Sequence, residues 1–552
     1  MANRIIREVP GAEICGIVQQ PVERLPLAQR LIINGGTRSA FSSSRVLSKA
    51  KVWFCSLAEK LMHWAFWCIH GCPPRDGAKK FTVEMLAEEC MRARWSFLLA
   101  ADVGDAKVLD FFRKRRVDLV IVLGELSLNP ELLLIPRRGT TRALQSEGAE
   151  TPGLHIRVEH LPKGAQKPLA IASLTVPLQL YDGLLSLTLK ADLITDDLFV
   201  QTARNLQAGD TTNLSNEINN WIHRILSPYL NQVELNSVKN VQRVPIRHRC
   251  RAVWKLSIQT LLLLWPSILA RNWYRSLRGR YPVLILAHHL VADRVHRMGV
   301  STETFWRQVR FLQKHYQIVS LAESIELLNS GTAGVPCLAL TFDDGYGDNF
   351  VSLRAVAEEA GIPVTLFVPT RPVENHQEFQ HDLVKGTRGF FPLTWDQIRY
   401  WSRSGGEFGS HTHTHFDCGS TDRKKLEEEI VGSKNLMEHR LGQPVRFFAF
   451  PFGDRCNVSS EAMQLAASTY PHVLSDFGGE NLPGRVASTR HLFRKNSYLD
   501  LWELILELQS VFDLIAATKR PLSRGRADVS SFVARFGATS ICNAPDNASP
   551  NH

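Results

Sequence analysis

From Tyr281 onward, short apolar runs alternate with longer stretches in which apolar residues recur every three or four positions. Short apolar runs predict buried strands, and the longer spacing predicts helices packed against them. The pattern gives strands at 283–287, 337–342 and 363–368, and helices at 301–316 and 351–360. Ser301 marks the start of the first helix and Gly361 the end of the second. Repeated strand–helix units of this kind predict a barrel or a wound parallel sheet, with active residues at the carboxyl ends of the strands.

The first 210 residues show a similar alternation. Apolar runs at 13–18 and 117–123 predict strands, and residues 82–94 and 106–116 have helical spacing. Strands and helices in this arrangement indicate a small Rossmann-like α/β domain over 1–210. At the other end, the chain beyond Lys519 is polar and rich in Ser, Arg and Asn, and residues 511–552 are predicted to form a loose tail.

Residues 211–280 are predicted to form a basic, helical connector between the two halves. The net charge of the chain is +11, and the excess of positive charge is concentrated in this connector. No acidic residue occurs between Glu234 and Asp293, whereas ten Lys/Arg do, and the rest of the chain carries only +1 without them. Such local basicity is a poor fit to a protein that binds a polyanion over its whole surface, so no nucleic-acid partner is expected.

The connector contains a largely apolar run at 256–270. A helix that spans a bilayer needs roughly 20 apolar residues, and this run is shorter and interrupted by Pro266. Two interpretations stay open. Either the run anchors the protein in the interface of an anionic membrane, with Trp254, Trp265 and Trp273 at the level of the headgroups, or it is a helix packed between the two domains.

Cysteine usage and the amino terminus predict a cytoplasmic protein. The ten cysteines are scattered over the chain, which is typical of reduced thiols. The first residues lack the basic, apolar and small-residue pattern of an export signal. Cys68 and Cys72, with a histidine between them, have the spacing of half a zinc site, but no second half of similar spacing follows.

Two adjacent carboxylates, Asp343 and Asp344, follow the apolar run 337–342. Burying both without a partner is costly, and a divalent metal removes that cost for one of them while the other is left as a base. The alternative is an ordinary turn, because Asp and Gly both favour turns.

Two histidines, His411 and His415, occur four residues apart in a histidine-rich segment. A helical turn or a tight loop brings both imidazoles onto one ion, whereas His413 between them faces elsewhere. With one carboxylate oxygen they make the three-ligand set with an open position that catalytic zinc uses. A histidine-rich surface loop is the alternative, and the neighbouring Asp-Asp-Gly strand end favours the metal site.

A third segment, 447–453, is an aromatic strand interrupted by Pro and Gly, which on its own is typical of core packing. The three segments together, in this order, resemble the polysaccharide deacetylase family, also called the NodB homology domain or carbohydrate esterase family 4. The resemblance is carried by TFDDG at 341–345, SHTHTH at 410–415 and FAFPFG at 448–453. It covers residues 281–510 and implies a distorted (β/α) barrel of the NodB type.

The resemblance also implies roles for individual residues. Asp344, His411 and His415 match the family's metal ligands, and this donor set favours zinc, although cobalt or nickel would fit. Asp343 matches the general base that deprotonates the attacking water. His289, which follows the strand at 283–287, matches the general acid of a permuted branch of the family.

The remaining matches concern the acid, the base and the substrate groove. His288 is the reserve choice for the general acid, and His491 is a weaker candidate. Ala449 stands where many members carry an arginine that orients the base, which leaves the tuning of Asp343 open. The residues that the resemblance assigns to the substrate groove are Trp395, Phe450, Pro451 and Phe452.

The amino half resembles the formyltransferase family through REVPGAEICGIV at 7–18, VDLVIVLG at 117–124 and IPRRG at 135–139. Members of that family need an Asn-x-His pair and an aspartate in a Leu-Asp-Thr-Gly-like turn. No Asn-x-His occurs before Glu234, and Ile194 stands in the place of the aspartate. The resemblance therefore implies a non-catalytic binding or docking domain at 1–210.

These observations together predict a metal-dependent hydrolase of carbon–nitrogen bonds. We expect it to remove the N-acetyl group of an amino sugar in a glycan or a glycan precursor, so an N-acetylated carbohydrate is the expected partner. The alternatives are a catalytically inactive carbohydrate-binding or scaffold protein and a bifunctional sugar deacetylase/acyltransferase. The basic connector adds a peripheral contact with the cytoplasmic face of an anionic membrane as a further expectation.

Overall fold

The computed structural model describes most of the chain from residue 106 to residue 510 and short pieces before it. The described residues are 2–9, 12–14, 16–19, 96–99, 106–122, 131–147, 153–165, 167–208, 214–234, 266–331, 333–484, 490–497 and 500–510. The predicted helix at 82–94, the segment 68–72, the part of the apolar run before Pro266 and the predicted tail at 511–552 lie outside them. The α/β class is confirmed.

The amino-terminal strands form two small sheets. They are β1 Gly16–Gln19, β2 Ser96–Leu99, β3 Val120–Val122, β4 Thr140–Glu147, β5 Gly153–Leu161 and β6 Leu169–Pro177. β1 and β2 are a parallel pair, and β3–β4–β5–β6 is a four-stranded sheet. β3 and β4 are parallel, whereas β4–β5 and β5–β6 are antiparallel, which departs from the purely parallel order of a Rossmann-like sheet. Leu154, Ile156 and Val158 alternate along β5 and are buried, so one face of this sheet packs on a core.

The amino-terminal helices are α1 Ala2–Glu8, α2 Ala106–Arg115, α3 Leu184–Ala208, α4 Leu214–Trp221 and α5 Ser227–Glu234. A 3-10 turn occupies Leu132–Leu134, and a π-helical turn at Ile222–Leu226 joins α4 to α5. α2 lies where the helical spacing at 106–116 predicts it. The 25-residue α3 packs on β5 and β6, so it covers the buried face of the sheet.

The carboxyl half contains the large sheet of the molecule. The strands of this half are β7 Val283–His288, β8 Leu290–Val291, β9 Gly299–Val300, β10 Gln317–Ile318, β11 Cys337–Phe342, β12 Thr365–Val368, β13 Glu407–Ser410, β14 Phe447–Ala449, β15 His472–Ser475, β16 His491–Phe493 and β17 Lys495–Asn496. β8 and β9 pair with each other in a separate sheet, and the other nine make up the large sheet. The order is β16–β15–β14–β13–β12–β11–β7–β17, with β10 beside β11, and every pair is parallel. All residues of β7 and β11 are buried, which explains their continuous apolar sequences.

The last strand closes the sheet into a nearly complete barrel. β16 and β17 are separated in the chain by Arg494 alone. β16 pairs with β15 at one end of the strand order, and β17 pairs with β7 at the other. The segment 491–496 therefore joins the two edges, and the predicted NodB-type barrel is confirmed.

Helices surround the barrel, and local sequence sets their ends. They are α6 Pro266–Arg278, α7 Thr302–His315, α8 Leu321–Ser330, α9 Ser352–Ala360, α10 Thr370–Asn375, α11 Gln380–Val384, α12 Trp395–Arg403, α13 Arg423–Leu441, α14 Ser460–Thr469 and α15 Leu501–Leu508, with 3-10 turns at Gly347–Phe350 and Arg455–Asn457. The Ser301 side chain accepts a hydrogen bond from the N–H of Thr304 and so caps α7. Gly361 ends α9 with a φ of 63°, a left-handed conformation that favours glycine. Both ends lie where the sequence predicts them.

One hydrophobic core extends from the amino-terminal sheet into the barrel. Ile156 of β5, Leu198 of α3, Leu226 beside α5, Phe305 of α7 and Val356 of α9 belong to the same buried cluster. α3 packs directly against α9. The helices at 214–234, which fall in the predicted connector, are thus part of this shared core, and experiments on the protein should use the whole chain.

Buried ion pairs also join the two halves. Lys190 of α3 lies 2.7 Å from Asp182 and 2.6 Å from Asp293 of the loop after β8, and none of the three side chains is exposed. Asp197, also in α3, is bound by Arg4 at 2.6 Å and by Arg354 of α9. Because buried charges are tolerated only when they are paired, these contacts fix the amino half in one position on the barrel.

Among the described residues, no helix combines the length and the apolar character needed to cross a membrane. The described part of the predicted apolar run is the first turn and a half of α6, which begins at Pro266. Ile268 and Asn272 are on its buried side.

Candidate metal-dependent active site

Asp343 and Asp344 follow β11 directly, and both side chains are buried. The backbone N–H of Asp343 donates to the carbonyl oxygen of His288 at 2.8 Å, which continues the pairing of β11 with β7. Asp344 has a φ of 67° and Gly345 a φ of 65°, so the chain turns sharply. A left-handed conformation costs a non-glycine residue on the order of 1–3 kcal/mol, and such strain is found at functional sites. The turn gives the two neighbouring carboxylates different surroundings.

Asp344, His411 and His415 come together at the carboxyl ends of β11 and β13. Their ligand atoms all lie within 4.8 Å of one another. Oδ1 of Asp344 is 3.0 Å from Nε2 of His415 and 3.8 Å from Nε2 of His411. This oxygen is buried and accepts no hydrogen bond from any described residue. A buried carboxylate oxygen without a donor is costly, so the arrangement fits a cation held between the three side chains.

The hydrogen bonding of His411 leaves Nε2, the nitrogen on the side of Asp344, free to bind a metal. Its Nδ1 is 2.8 Å from the carbonyl oxygen of Ala449, which can only accept, so Nδ1 carries the proton and Nε2 keeps its lone pair. Burial lowers the pKa of His411 to about 4, which keeps the ring neutral near pH 7. Burial also acts to raise the pKa of Asp344, but His415 and His381 outweigh it and hold that pKa well below its usual range.

The loop between the two histidines is held in a strained shape. His415 has a φ of 62°, in the left-handed region. The buried carboxylate of Glu429 in α13 accepts the backbone N–H groups of His413 at 3.0 Å and Thr414 at 2.7 Å. His413 turns away from the other two histidines, and its Nδ1 is 2.8 Å from Oγ1 of Thr370.

Asp343 has a different partner, the guanidinium of Arg494. Nη1 and Nη2 of Arg494 donate to the two oxygens of Asp343 at 2.7 and 2.8 Å, and Nε donates to Asp476 at 2.8 Å. Burial is the largest influence on Asp343 and acts to raise its pKa, but the charge and hydrogen bonds of Arg494, together with His411 and His289, outweigh it and hold the pKa below its usual value. At Asp476 burial prevails over Arg494, and the pKa is raised. Asp343 is therefore an ionised carboxylate in a fixed orientation.

Arg494 is a site residue that sequence reasoning missed. It occupies the single position between β16 and β17, where the barrel closes, and its side chain is fully buried. The sequence signal that could have identified Arg494 is a single arginine inside the short run 491–496. A charged residue in a buried strand requires a buried partner. Gly453 is needed nearby, since a Cβ there would lie 2.5 Å from Oδ2 of Asp476.

The two histidines after β7 have different surroundings. His288 is buried between Phe305 and Phe342, neither ring nitrogen has a hydrogen-bond partner among the described residues, and burial lowers its pKa to about 3. His289 is half-buried and close enough to lower the pKa of both Asp343 and Asp344. Both histidines thus lie near the carboxylates, and His289 is the one that is not fully buried among aromatic rings.

His491, the weaker candidate for the acid, is buried and its Nε2 lies 2.7 Å from Oγ of Ser475. Of the predicted groove residues, Phe452 is 51% exposed, and its ring is 4.9 Å from that of His415. Phe450 is fully buried, and the indole N–H of Trp395 donates to Glu374 at 2.7 Å. Phe452 is therefore the aromatic side chain of the third segment that faces solvent next to the histidines.

A third histidine, His381 of α11, also reaches the site and is absent from the sequence predictions. Its Nε2 is 3.5 Å from Oδ2 of Asp344, and its ring is 4.6 Å from that of His415. It lies in the stretch between β12 and β13, where no family motif or spacing marks it. Only the folded chain brings it next to Asp344.

Comparison with known proteins agrees with this geometry. Residues 330–470 match the family model described as Polysaccharide deacetylase. "Putative polysaccharide deacetylase YxkH" of Bacillus subtilis (strain 168) is 22% identical over 187 residues, which are 34% of this chain and 61% of that protein. The chain thus spans about three fifths of this curated relative. Residues 330–470 thus match the polysaccharide deacetylase family that is predicted for this part of the chain.

Two solved structures are similar to part of the chain. IcaB from Ammonifex degensii is 19% identical, with a TM-score of 0.36, and the match covers 41% of this chain and 97% of that one. The deacetylase PplD of Streptococcus pyogenes, solved in complex with acetate, is 20% identical, with a TM-score of 0.35 and the same coverage.

Proposed function

We propose that this protein removes the N-acetyl group from an amino sugar in a glycan or glycan precursor, with a divalent metal, zinc by preference. The observation that carries the proposal is the pair of carboxylates at the end of β11. Oδ1 of Asp344 accepts no hydrogen bond from any described residue and faces His411 and His415, and Asp343 beside it is held ionised by Arg494. Two imidazole nitrogens and one carboxylate oxygen are a donor set of catalytic zinc.

The site provides the groups that amide hydrolysis needs. A divalent cation held by Asp344, His411 and His415 would supply Lewis acidity, which makes a water easier to deprotonate and an amide carbonyl easier to attack. Asp343 is the base that takes the proton of the water, and Arg494 fixes its oxygens and keeps it ionised at neutral pH. His289 is the acid that gives a proton to the departing amine. The exposed ring of Phe452 offers an apolar face for a sugar ring beside the histidines.

The same residues disfavour the alternative of an inactive carbohydrate-binding protein. Binding a sugar does not require an ionised base, Asp343, next to a carboxylate, Asp344, that faces two histidines. The second alternative, a bifunctional deacetylase/acyltransferase, depends on the amino half. Its resemblance to formyltransferases stays a prediction, as does a non-catalytic role. The contacts of α3 with α9 support a structural role for the amino half in the deacetylase.

The first test of the proposal is acetate release from N-acetylglucosamine oligomers by the full chain. We expect release that disappears on chelation and returns when zinc is restored, because the three metal ligands are all protein side chains. The measurement is an acetate assay on one preparation before chelation, after it and after zinc. Release that persists after complete metal removal would contradict the proposal, and a metal-loaded protein that releases no acetate would favour the binding protein.

A contact with an anionic membrane is also proposed, through one face of α6. Trp273, Tyr274 and Leu277 are 67%, 54% and 66% exposed, and Arg278 and Arg280 next to them are exposed as well. Aromatic and aliphatic side chains bordered by arginines are typical of helices that lie in the interface of an anionic bilayer. α6 precedes the amino end of β7, so this face is at the opposite end of the barrel from the metal site.

We expect the full chain to sediment with vesicles that contain phosphatidylserine and to release them at high salt, because arginine attraction is screened. Replacing Trp273 and Leu277 by serine should weaken vesicle binding at least several-fold without changing acetate release. The matched control replaces Leu180 and Val384, which are 58% and 71% exposed elsewhere on the surface, by serine. Equal vesicle binding by the wild-type chain and the α6 variant would contradict the membrane contact.

A further inference from the structure

The two histidines of the metal site are held in position in different ways. The ring of His411 is fixed directly, because its Nδ1 donates to the carbonyl oxygen of Ala449. Among the described residues, no carbonyl oxygen holds the ring of His415, which packs against the rings of His381 and Phe452. The direction of the second imidazole therefore depends on the backbone of the loop that carries it.

That backbone is strained at two places. Thr412 has a φ of 65° and His415 a φ of 62°, both in the left-handed region that residues with a side chain rarely adopt. Such conformations persist only where the surrounding structure holds them, and they are found at functional sites. The loop between the two histidines therefore needs fixed partners on the elements around it.

Glu429 of α13 is one of these partners. Its side chain is fully buried, and both of its oxygens bind the loop. Oε2 accepts the backbone N–H groups of His413 at 3.0 Å and Thr414 at 2.7 Å, and Oε1 accepts the hydroxyl of Thr414 at 2.7 Å. A carboxylate suits this position, because it accepts without donating and its hydrogen bonds are stronger than those of a neutral acceptor. Nζ of Lys425, one turn earlier in α13, lies 3.6 Å from Oε1 and balances the charge.

The carbonyl oxygens of the same loop bind a different element. The N–H of Thr370 donates to the carbonyl oxygen of Thr412 at 3.2 Å. The N–H of Arg371 donates to the carbonyl oxygen of His413 at 2.7 Å. Both donors lie at the start of α10. The loop is thus held from two sides, its N–H groups by Glu429 and its carbonyl oxygens by α10, and the residues that Glu429 binds immediately precede the second histidine.

We propose that Glu429 is a positioning residue of the metal site: by holding the two backbone N–H groups that precede His415, it keeps the imidazole of this ligand directed at Asp344. The proposal rests on the proposed function, because it requires a metal at this site. Glu429 is not one of the three residues whose ligand atoms converge, so it acts through His415. The effect is assigned to its hydrogen bonds and not to its negative charge.

The test is the zinc affinity of variants of the full chain, measured by competition with a chromophoric chelator. Glu429→Met removes the acceptors and should weaken zinc binding roughly tenfold or more, within the range found when partners that orient metal ligands are removed. Glu429→Gln keeps an oxygen for the two N–H groups and offers its NH2 to the Thr414 hydroxyl, so it should keep most of the affinity. Glu429→Asp keeps the charge but is shorter by one methylene group, so it should bind zinc more weakly.

A second measurement reports the geometry of the ligands themselves. The visible absorption of the protein saturated with Co2+ depends on how its ligands are arranged. The spectrum should change in Glu429→Met and Glu429→Asp and should stay as in the wild type in Glu429→Gln. The matched control is Glu427→Gln, at an exposed glutamate of the same helix that pairs with Arg423, and it should behave as the wild type in both measurements.

The outcomes separate positioning from its alternatives. If Glu429→Gln loses as much affinity as Glu429→Met, the charge of Glu429 and not its hydrogen-bond geometry is needed, which overturns the positioning role. Wild-type affinity and spectrum in all three variants would overturn it too. Thermal unfolding of the metal-free variants identifies any that do not fold, and if Glu429→Met is one of them, the order of Glu429→Gln and Glu429→Asp decides. A wild-type chain that binds no zinc would instead refute the proposed function on which the inference rests.

Discussion

Replacing Asp344 by alanine is expected to abolish zinc binding and acetate release together. The variant loses the buried oxygen that faces both histidines, and the two imidazoles that remain make an incomplete site. The Lewis acidity of a bound metal contributes several kcal/mol to catalysis, and each 1.4 kcal/mol is about tenfold in rate. We therefore expect the rate of acetate release to fall by at least roughly 1,000-fold. The measurements are the zinc content of the dialysed protein and the rate of acetate release.

Two further variants make the result specific. Asp343→Asn keeps all three metal ligands, so it should bind zinc while losing most of its activity. Asp110→Ala removes an exposed carboxylate of α2 that pairs with Lys114 on the surface, and it should retain both zinc and activity. Acetate release by Asp344→Ala at more than a tenth of the wild-type rate would refute the assignment of Asp344 as a metal ligand.

The sequence could predict the barrel because its strands are buried on both faces. β7 and β11 are continuous apolar runs, and such runs between helical segments have few other interpretations. The cluster of Asp344, His411 and His415 could be predicted as well, because two histidines four residues apart and a carboxylate at a strand end are local signals. Burial and hydrogen bonding then specify what the spacing cannot, namely that Nε2 of His411 is the free nitrogen.

Long-range contacts could not be predicted in the same way. Arg494 binds Asp343 from a position 151 residues further along the chain, and only the closure of the barrel brings them together. Nε2 of His381 lies 3.5 Å from Oδ2 of Asp344, and no short motif encodes that proximity. The ion pairs of Lys190 and Asp197 with the barrel likewise depend on tertiary packing.

These contacts indicate that the amino half of the chain contributes structurally to the proposed active site. Asp293 lies four residues after His289, and its carboxylate binds Lys190 of α3 and caps α7 through the N–H of Thr302. Arg294, the next residue, donates to both oxygens of Asp348 in the turn after Asp344. The loops that carry the proposed acid and the metal ligand are thus fixed to each other and to α3. A structural contribution to the site follows from these contacts whether or not residues 1–210 bind anything else.

The second large effect is expected at Arg494. Replacing it by methionine leaves two buried carboxylates, Asp343 and Asp476, without their shared cation. Breaking a buried ion pair by removing one partner costs on the order of 3–5 kcal/mol of unfolding free energy. Acetate release near pH 7 should fall roughly 100-fold or more, because the base loses both its fixed orientation and its charge. Urea unfolding and steady-state rates measure the two effects.

The pH dependence of the rate separates tuning of the base from simple destabilisation. In the wild type, Arg494 holds the pKa of Asp343 below its usual value, so the base stays ionised as the pH falls. Without Arg494, burial raises that pKa, and the acid side of the pH–rate profile should move to higher pH. Arg494→Lys keeps a charge but not the two-pronged geometry, so its profile should move less while its rate stays low.

Zinc affinity distinguishes Arg494 from the proposed metal ligands, because Arg494 contacts Asp343 and none of those three residues. We expect Arg494→Met to bind zinc nearly as tightly as the wild type, in contrast to Asp344→Ala. Arg490→Met replaces an exposed arginine of the same segment and should behave as the wild type in every measurement. If Arg494→Met has the acid side of the pH–rate profile where the wild type has it and loses only stability, the arginine holds the barrel closed and does not set the pKa of Asp343. If the acid side of its pH–rate profile moves to higher pH while zinc affinity is kept, Arg494 tunes the base. From its position between β16 and β17 it then does what an arginine at the position of Ala449 does in many members of the family.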